Sequence, residues 1–208
     1  KSGSHLLVPA ADGSIDAVLF GIEDEPHGAN LFLPGKLPAL LPGGAYRFAN
    51  APHDSRLAAL AFVLGTYGFD RYRKRDRKAL TLVPPDGVDA VDLSRIAEGV
   101  FLARDMINTP SNDMGPAELH EATRLLAEKH DGWIEAVTDE ELLLKNFPLI
   151  HAVGRAAARP PRLIELRWGD PNHPKVTVVG KGVCFDTGGL DLKPSSAMLL
   201  MKKDMGGA

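Results

Sequence analysis

Apolar positions along the chain follow two periods, and Gly and Pro mark most of the places where the period changes. Residues 53–69 carry Leu57, Leu60, Ala61 and Leu64 at helical spacing, with Asp54 or Ser55 placed to cap the first turn. Residues 92–110 put Leu93, Ile96, Ala97, Val100 and Ala103 on one stripe, with Asp92 at the start and Pro110 beyond the end, which predicts a second helix. A third runs from Pro116, suited to a first helical position, through Leu119, Ala122, Leu125 and Leu126 towards Gly132, which is placed to end it. Strands are predicted at 14–22, 79–84, 133–137, 162–168 and 175–182. The last, KVTVVGKG, is a near-continuous apolar run of the kind buried on both faces of an α/β sheet. Thr138 with Glu141 forms a capping signature that opens a short helix into LLLKNF.

Helices alternating with strands predict an α/β protein. The Pro/Gly-rich first part, with LPGKLPALLPGGAY and the PPDG turn, separates residues 1–90, a small N-terminal α/β domain, from residues 91–208. The second segment reads as an α/β domain. No internal repeat or low-complexity tract interrupts either segment.

Composition narrows the function classes. With 24 Lys plus Arg against 27 Asp plus Glu, the net charge of −3 removes any whole-molecule attraction to nucleic acid or anionic membrane. The run RYRKRDRK at 71–78 holds six cations; it is expected to be a solvated helix end or turn before the 79–84 strand, with a local anion patch as the alternative. The apolar run at 57–65 is about half the roughly 18 residues a membrane helix needs, so no membrane partner is expected. The first residues show no export signal, and a cytoplasmic location is the expectation. Cys184 is the single cysteine, which excludes an internal disulfide and a multi-cysteine metal site; the seven histidines form no HExxH pair.

The densest chemistry follows the 175–182 segment. Lys181, Asp186, Asp191, Lys193, Lys202, Lys203 and Asp204 fall among five glycines between Lys181 and Ala208. Carboxylates emerging beside a low-dielectric sheet repel one another unless a cation compensates, so this composition implies a divalent metal or an ion-pair network. Oxygen donors outnumber His and Cys here, which favours Mn, Mg or carboxylate-bound Zn. Each residue also has a plainer role open to it. Lys181 alone is an ordinary loop lysine, Asp186 an Asx turn, Asp204 a helix cap, Met201 a core residue and Cys184 a small buried hydrophobe. His120 and His151 show no partner pattern.

GKGVCFDTGGLDLKP followed by LMKKDMGGA resembles the leucyl aminopeptidase (cytosol aminopeptidase) family of two-metal exopeptidases. Lys181 is followed by Asp186 after five residues, Lys193 after seven more and Asp204 after another eleven. Weaker likeness extends through 103–116 and 151–168. The resemblance implies that 91–208 begins the catalytic domain, the first part of a larger α/β domain with a central mixed sheet flanked by helices, and that Lys181, Asp186 and Asp204 bind two divalent ions, Mn or Zn. It makes Lys193 the catalytic cation at the scissile carbonyl and Met201, Lys193 and Asp186 the substrate-binding residues, and it leaves Asp191 outside the site. It further implies a metal-bound hydroxide as nucleophile, release of Leu-like N-terminal residues from peptides, and a homohexamer.

The family's second motif, Asn-Thr-Asp-Ala-Glu-Gly-Arg, which supplies further ligands and the Arg holding a bicarbonate, does not occur in these 208 residues. The chain is therefore expected to belong to a longer polypeptide and to be inactive by itself. The alternative function is a non-catalytic or DNA-binding relative, with residues 71–78 as its local support.

Overall fold

The computed structural model describes residues 1–23, 29–50 and 52–208. They form an α/β structure in two compact units, Lys1–Leu102 and Ala103–Ala208. Among the described residues no helix is long and apolar enough to cross a membrane.

In the first unit β1 (His5–Pro9) pairs antiparallel with β2 (Ile15–Phe20), Leu7 opposite Val18. The turn between them is set by Asp12, whose carboxylate accepts from the Ser14 amide at 2.9 Å. A 3-10 turn at Leu33–Lys36 leads into α1 (Leu37–Leu40), and β3 (Gly44–Tyr46) pairs in parallel with β4 (Leu80–Leu82). The predicted helix forms as α2 (Ser55–Gly65), capped by Asp54, whose carboxylate accepts from the Leu57 amide at 2.8 Å. Phe62 packs with Leu37 and Leu41, while Ala59 and Leu60 meet Leu93 of α3 (Ala90–Asn108). The cap of α3 is Asp89 and not Asp92: the Asp89 carboxylate accepts from the amides of Val91 (2.8 Å) and Asp92 (3.2 Å). Asp92 lies one turn inside, paired with Arg56 and Arg95.

In the second unit α4 (Pro116–Lys129) begins at the predicted proline. Its end differs. Asp131, with φ of 53°, takes the left-handed position expected of Gly132, and the Gly132 amide returns to the Ala127 carbonyl at 2.7 Å. Within its predicted apolar stripe, Leu125 and Leu126 remain 53% and 36% exposed. β5 (Trp133–Thr138) pairs antiparallel with β6 (Arg162–Arg167), Trp133 opposite Arg167 and Thr138 opposite Arg162. Because Thr138 is held in this ladder it does not cap α5 (Glu141–Leu144); the cap position falls to Glu140. A short α6 (Pro148–Gly154), which no apolar period predicts, follows.

Residues 175–182 do not form the predicted strand. The sheets among the described residues are each two-stranded, and none takes this segment as a neighbour. Val176, Val178 and Val179 are consequently 86%, 91% and 88% exposed. Beyond them come α7 (Ser195–Met198) and a closing 3-10 turn, Met201–Met205.

Candidate metal centre

Two backbone segments cross tightly at the end of the second unit. The Val183 amide donates to the Asp204 carbonyl at 3.2 Å. A Cβ on Gly180 would fall 2.3 Å from the Gly207 carbonyl oxygen, and one on Gly207 would fall 2.9 Å from that of Lys181. Glycine is thus required on both sides for main chain to approach main chain. The crossing sets the backbone on either side of Lys181 against the backbone that follows Asp204.

Asp186 lies a few residues further along the first segment. Phe185 before it has φ of 135°, a conformation L side chains rarely adopt. The turn after it is made by Thr187, whose hydroxyl accepts from the Gly189 amide at 3.1 Å while its carbonyl accepts from Leu190 at 3.2 Å. The Asx turn open to Asp186 therefore does not form, and its carboxylate stays exposed. Lys193 is exposed immediately before Pro194, the residue that precedes α7. Asp204 sits within the closing 3-10 turn, 3.7 Å from the Lys203 ammonium. Met201 opens that turn and is 7% exposed, packed in the interior.

Among the described residues no ion pair joins Lys181 or Lys193 to Asp186 or Asp204. Their charges are left for something other than each other. Lys181, Asp186 and Asp204 could between them offer one nitrogen and two carboxylate groups to a divalent ion.

Residues 101–208 match the model of the cytosol aminopeptidase family, catalytic domain, and residues 1–85 that of the M17 aminopeptidase N-terminal domain. The chain belongs to the cytosol aminopeptidase family. A probable cytosol aminopeptidase of Sinorhizobium medicae is 38% identical over 166 residues, covering 72% of this chain and 33% of the relative. The crystal structure of a cytosol aminopeptidase from Coxiella burnetii superposes with a TM-score of 0.86 at 42% identity, covering 99% of this chain and 45% of that one. The bottromycin maturation enzyme BotP, in complex with Mn, gives 0.76 at 30% identity, over 100% of this chain and 48% of that one. The chain thus spans about a third of the length of the curated relative and less than half of these solved chains.

Within this cytosol aminopeptidase frame the structure adds supports that spacing did not reveal. Lys202 donates to the Met106 carbonyl at 2.9 Å and to Met205 Sδ, fastening the turn that carries Asp204 to the end of α3. Burial pushes the Lys202 ammonium down and the half-buried Cys184 thiol up. Arg159 donates to Glu118 at 3.0 Å and to the Asn112 carbonyl at 2.6 Å, tying the loop before α4 to the one after α6. A sequence signal existed for the glutamate, three residues past Gly115 at the start of α4. None marked Lys202 apart from its neighbour Lys203. The basic run at 71–78 is exposed throughout and outside regular structure, as expected.

Proposed function

We propose that this chain supplies part of a metal-dependent aminopeptidase that releases Leu-like residues from peptide N-termini. Lys181, Asp186 and Asp204 hold divalent ions, two in the complete site, with Mn or Zn as the metal. When bound, such ions supply Lewis acidity and bring the pKa of a water molecule towards neutrality. The chain's own residues then have separate tasks. Lys193, which is exposed, meets the scissile carbonyl through its ammonium and steadies the charge that develops on it. Asp186 orients the substrate's free amine, and Met201 shapes the floor beneath the first side chain. Further ligands and a bicarbonate-holding Arg complete the centre. A cytoplasmic homohexamer acting on peptides completes the proposal.

The observation that carries it is the glycine-permitted crossing of 180–183 with 204–208 in a chain of this family. It draws together the segments bearing Lys181 and Asp204, with the Asp186 carboxylate unclaimed by its own turn. The test is hydrolysis of Leu-p-nitroanilide by the full-length protein with Mn²⁺ or Zn²⁺. Activity is expected to fall by several orders of magnitude in Lys181→Ala and Asp186→Ala; unchanged turnover in both overturns the assignment. Salt-sensitive duplex binding lost on neutralising Arg73, Lys74 and Arg75 would instead favour the nucleic-acid alternative.

A further inference from the structure

Asp139, Glu140 and His151 converge on the flank of the β5–β6 ladder, at the start of α5 and the middle of α6. One ligand atom from each lies within 4.8 Å of the other two. His151 Nε2 stands 3.5 Å from Glu140 Oε1. That is close to the edge of a coordination tetrahedron, about 3.4 Å for ligands roughly 2.1 Å from a central ion. It is also long for a hydrogen bond, and the imidazole has no other partner among the described residues although its side chain is only 14% exposed. An imidazole without a hydrogen bond, set among two carboxylates, is short of a cation.

Local charge points the same way. Lys145, the nearby ammonium, is engaged by Glu141 at 3.0 Å and by Glu135 at 3.5 Å. Among the described residues no cation pairs with Asp139, and Glu140 has only the imidazole. With His151 neutral the trio carries two negative charges, the complement of a divalent ion. The scaffold is already fixed. The Asp139 amide donates to the Pro161 carbonyl at 3.2 Å, with Asp139 itself at φ of 52°, and the Asp139 carbonyl accepts from the amide of the fully buried Leu142. The amide of His151 bonds the Phe147 carbonyl, and the Phe147 amide returns to Leu142 at 2.7 Å.

We propose that Asp139, Glu140 and His151 form a second, accessory site for a divalent transition metal, separate from the donor set at 181–204. An imidazole with two carboxylates suits Zn²⁺, Co²⁺ or Ni²⁺ and disfavours the all-oxygen preferences of Ca²⁺ and Mg²⁺. Glu140 is exposed on its outer side, which leaves a coordination position open to water. The bound ion would clamp α5 to α6.

The proposal does not depend on the aminopeptidase assignment, and its test is kept separate. Full-length protein carrying Lys181→Ala and Asp186→Ala is stripped with chelator and titrated with CoCl₂, then with ZnCl₂ in competition. One equivalent of Co²⁺ with a visible ligand-field band, displaced by Zn²⁺, is expected. Adding Asp139→Asn, a change at an exposed group that leaves the backbone contacts intact, weakens Co²⁺ binding at least tenfold, and His151→Gln does the same. The imidazole resonances of His151 shift on Zn²⁺ addition. Equal affinity in parent, Asp139→Asn and His151→Gln overturns the proposal, and so does absence of Co²⁺ binding by the parent.

Discussion

Glu118 Oε2 accepts from the Gly115 amide at 2.9 Å and from Arg159 Nη1 at 3.0 Å, so one carboxylate closes the start of α4 and anchors a loop 41 residues later. The Gly115 amide, then the Glu118 amide and behind them the Arg159 guanidinium, hold this carboxyl below the ordinary glutamate value against the effect of burial. A lowered acid pKa stabilises the fold above the unfolded-state value, and that stability drains as pH falls through the folded-state value. Glu118→Gln is therefore expected to flatten the acid limb of the Tm profile below about pH 5. At neutral pH its cost stays under about 1 kcal/mol because the pair is partly solvated. Parallel acid limbs for the two proteins would contradict this.

The glycine crossing predicts a steric effect with a metal readout. Gly180→Ala puts a carbon 2.3 Å from the Gly207 oxygen and must part the two segments, at a cost of about 1–3 kcal/mol. The increase in Tm that Mn²⁺ or Zn²⁺ gives the full-length protein should shrink in this variant. Gly99→Ala, where a Cβ meets nothing within 4 Å, serves as the control and leaves the metal response unchanged.

Two aspartates test which residue opens a helix. Asp54→Ala and Asp89→Ala should each lose about 1 kcal/mol in urea unfolding, the usual cost of an N-cap. Asp92→Ala removes exposed pairing with Arg56 and Arg95 and should cost less than either. A larger loss at Asp92 than at Asp89 would overturn the assignment of Asp89 as the cap.

Residues 175–182 have no ladder bonds, so in the 208-residue chain their amides should exchange with solvent without measurable protection, in contrast to 133–138 and 162–167. Val178→Lys, at a position 91% exposed, should change stability by no more than about 0.5 kcal/mol. It should also suppress self-association of the chain, because VTVV is an apolar, unpaired segment. Protection at Val178 comparable to that at Ala136 would show that the segment is paired in solution.

Short-range chemistry was the most readable part of the fold. Leu57, Leu60, Ala61 and Leu64 announced α2 because a helix satisfies its own backbone, and Pro116 announced α4 because its missing N–H costs nothing at a first position. Residues 175–182 were misjudged because a buried strand is a property of its neighbours as much as of its own side chains. Thr138 matched a capping pattern, but the ladder with Arg162 had already claimed its backbone. At the candidate centre, residue type and interval singled out Lys181, Asp186, Lys193 and Asp204. They could not disclose that Thr187 makes the turn beside Asp186, or that Lys202 pins the turn carrying Asp204. Asp139, Glu140 and His151 escaped notice because their meeting depends on how α5 and α6 fold back, not on a repeating interval.

The mutual fit of Gly180 and Gly207 leaves no side-chain slack to absorb a displacement. A shift imposed on one strand of the crossing is handed directly to the other, so the positions of Lys181 and Asp204 drift together or not at all. Tolerance to substitution here is joint: a methyl group added on one side can be accommodated only by rebuilding the other.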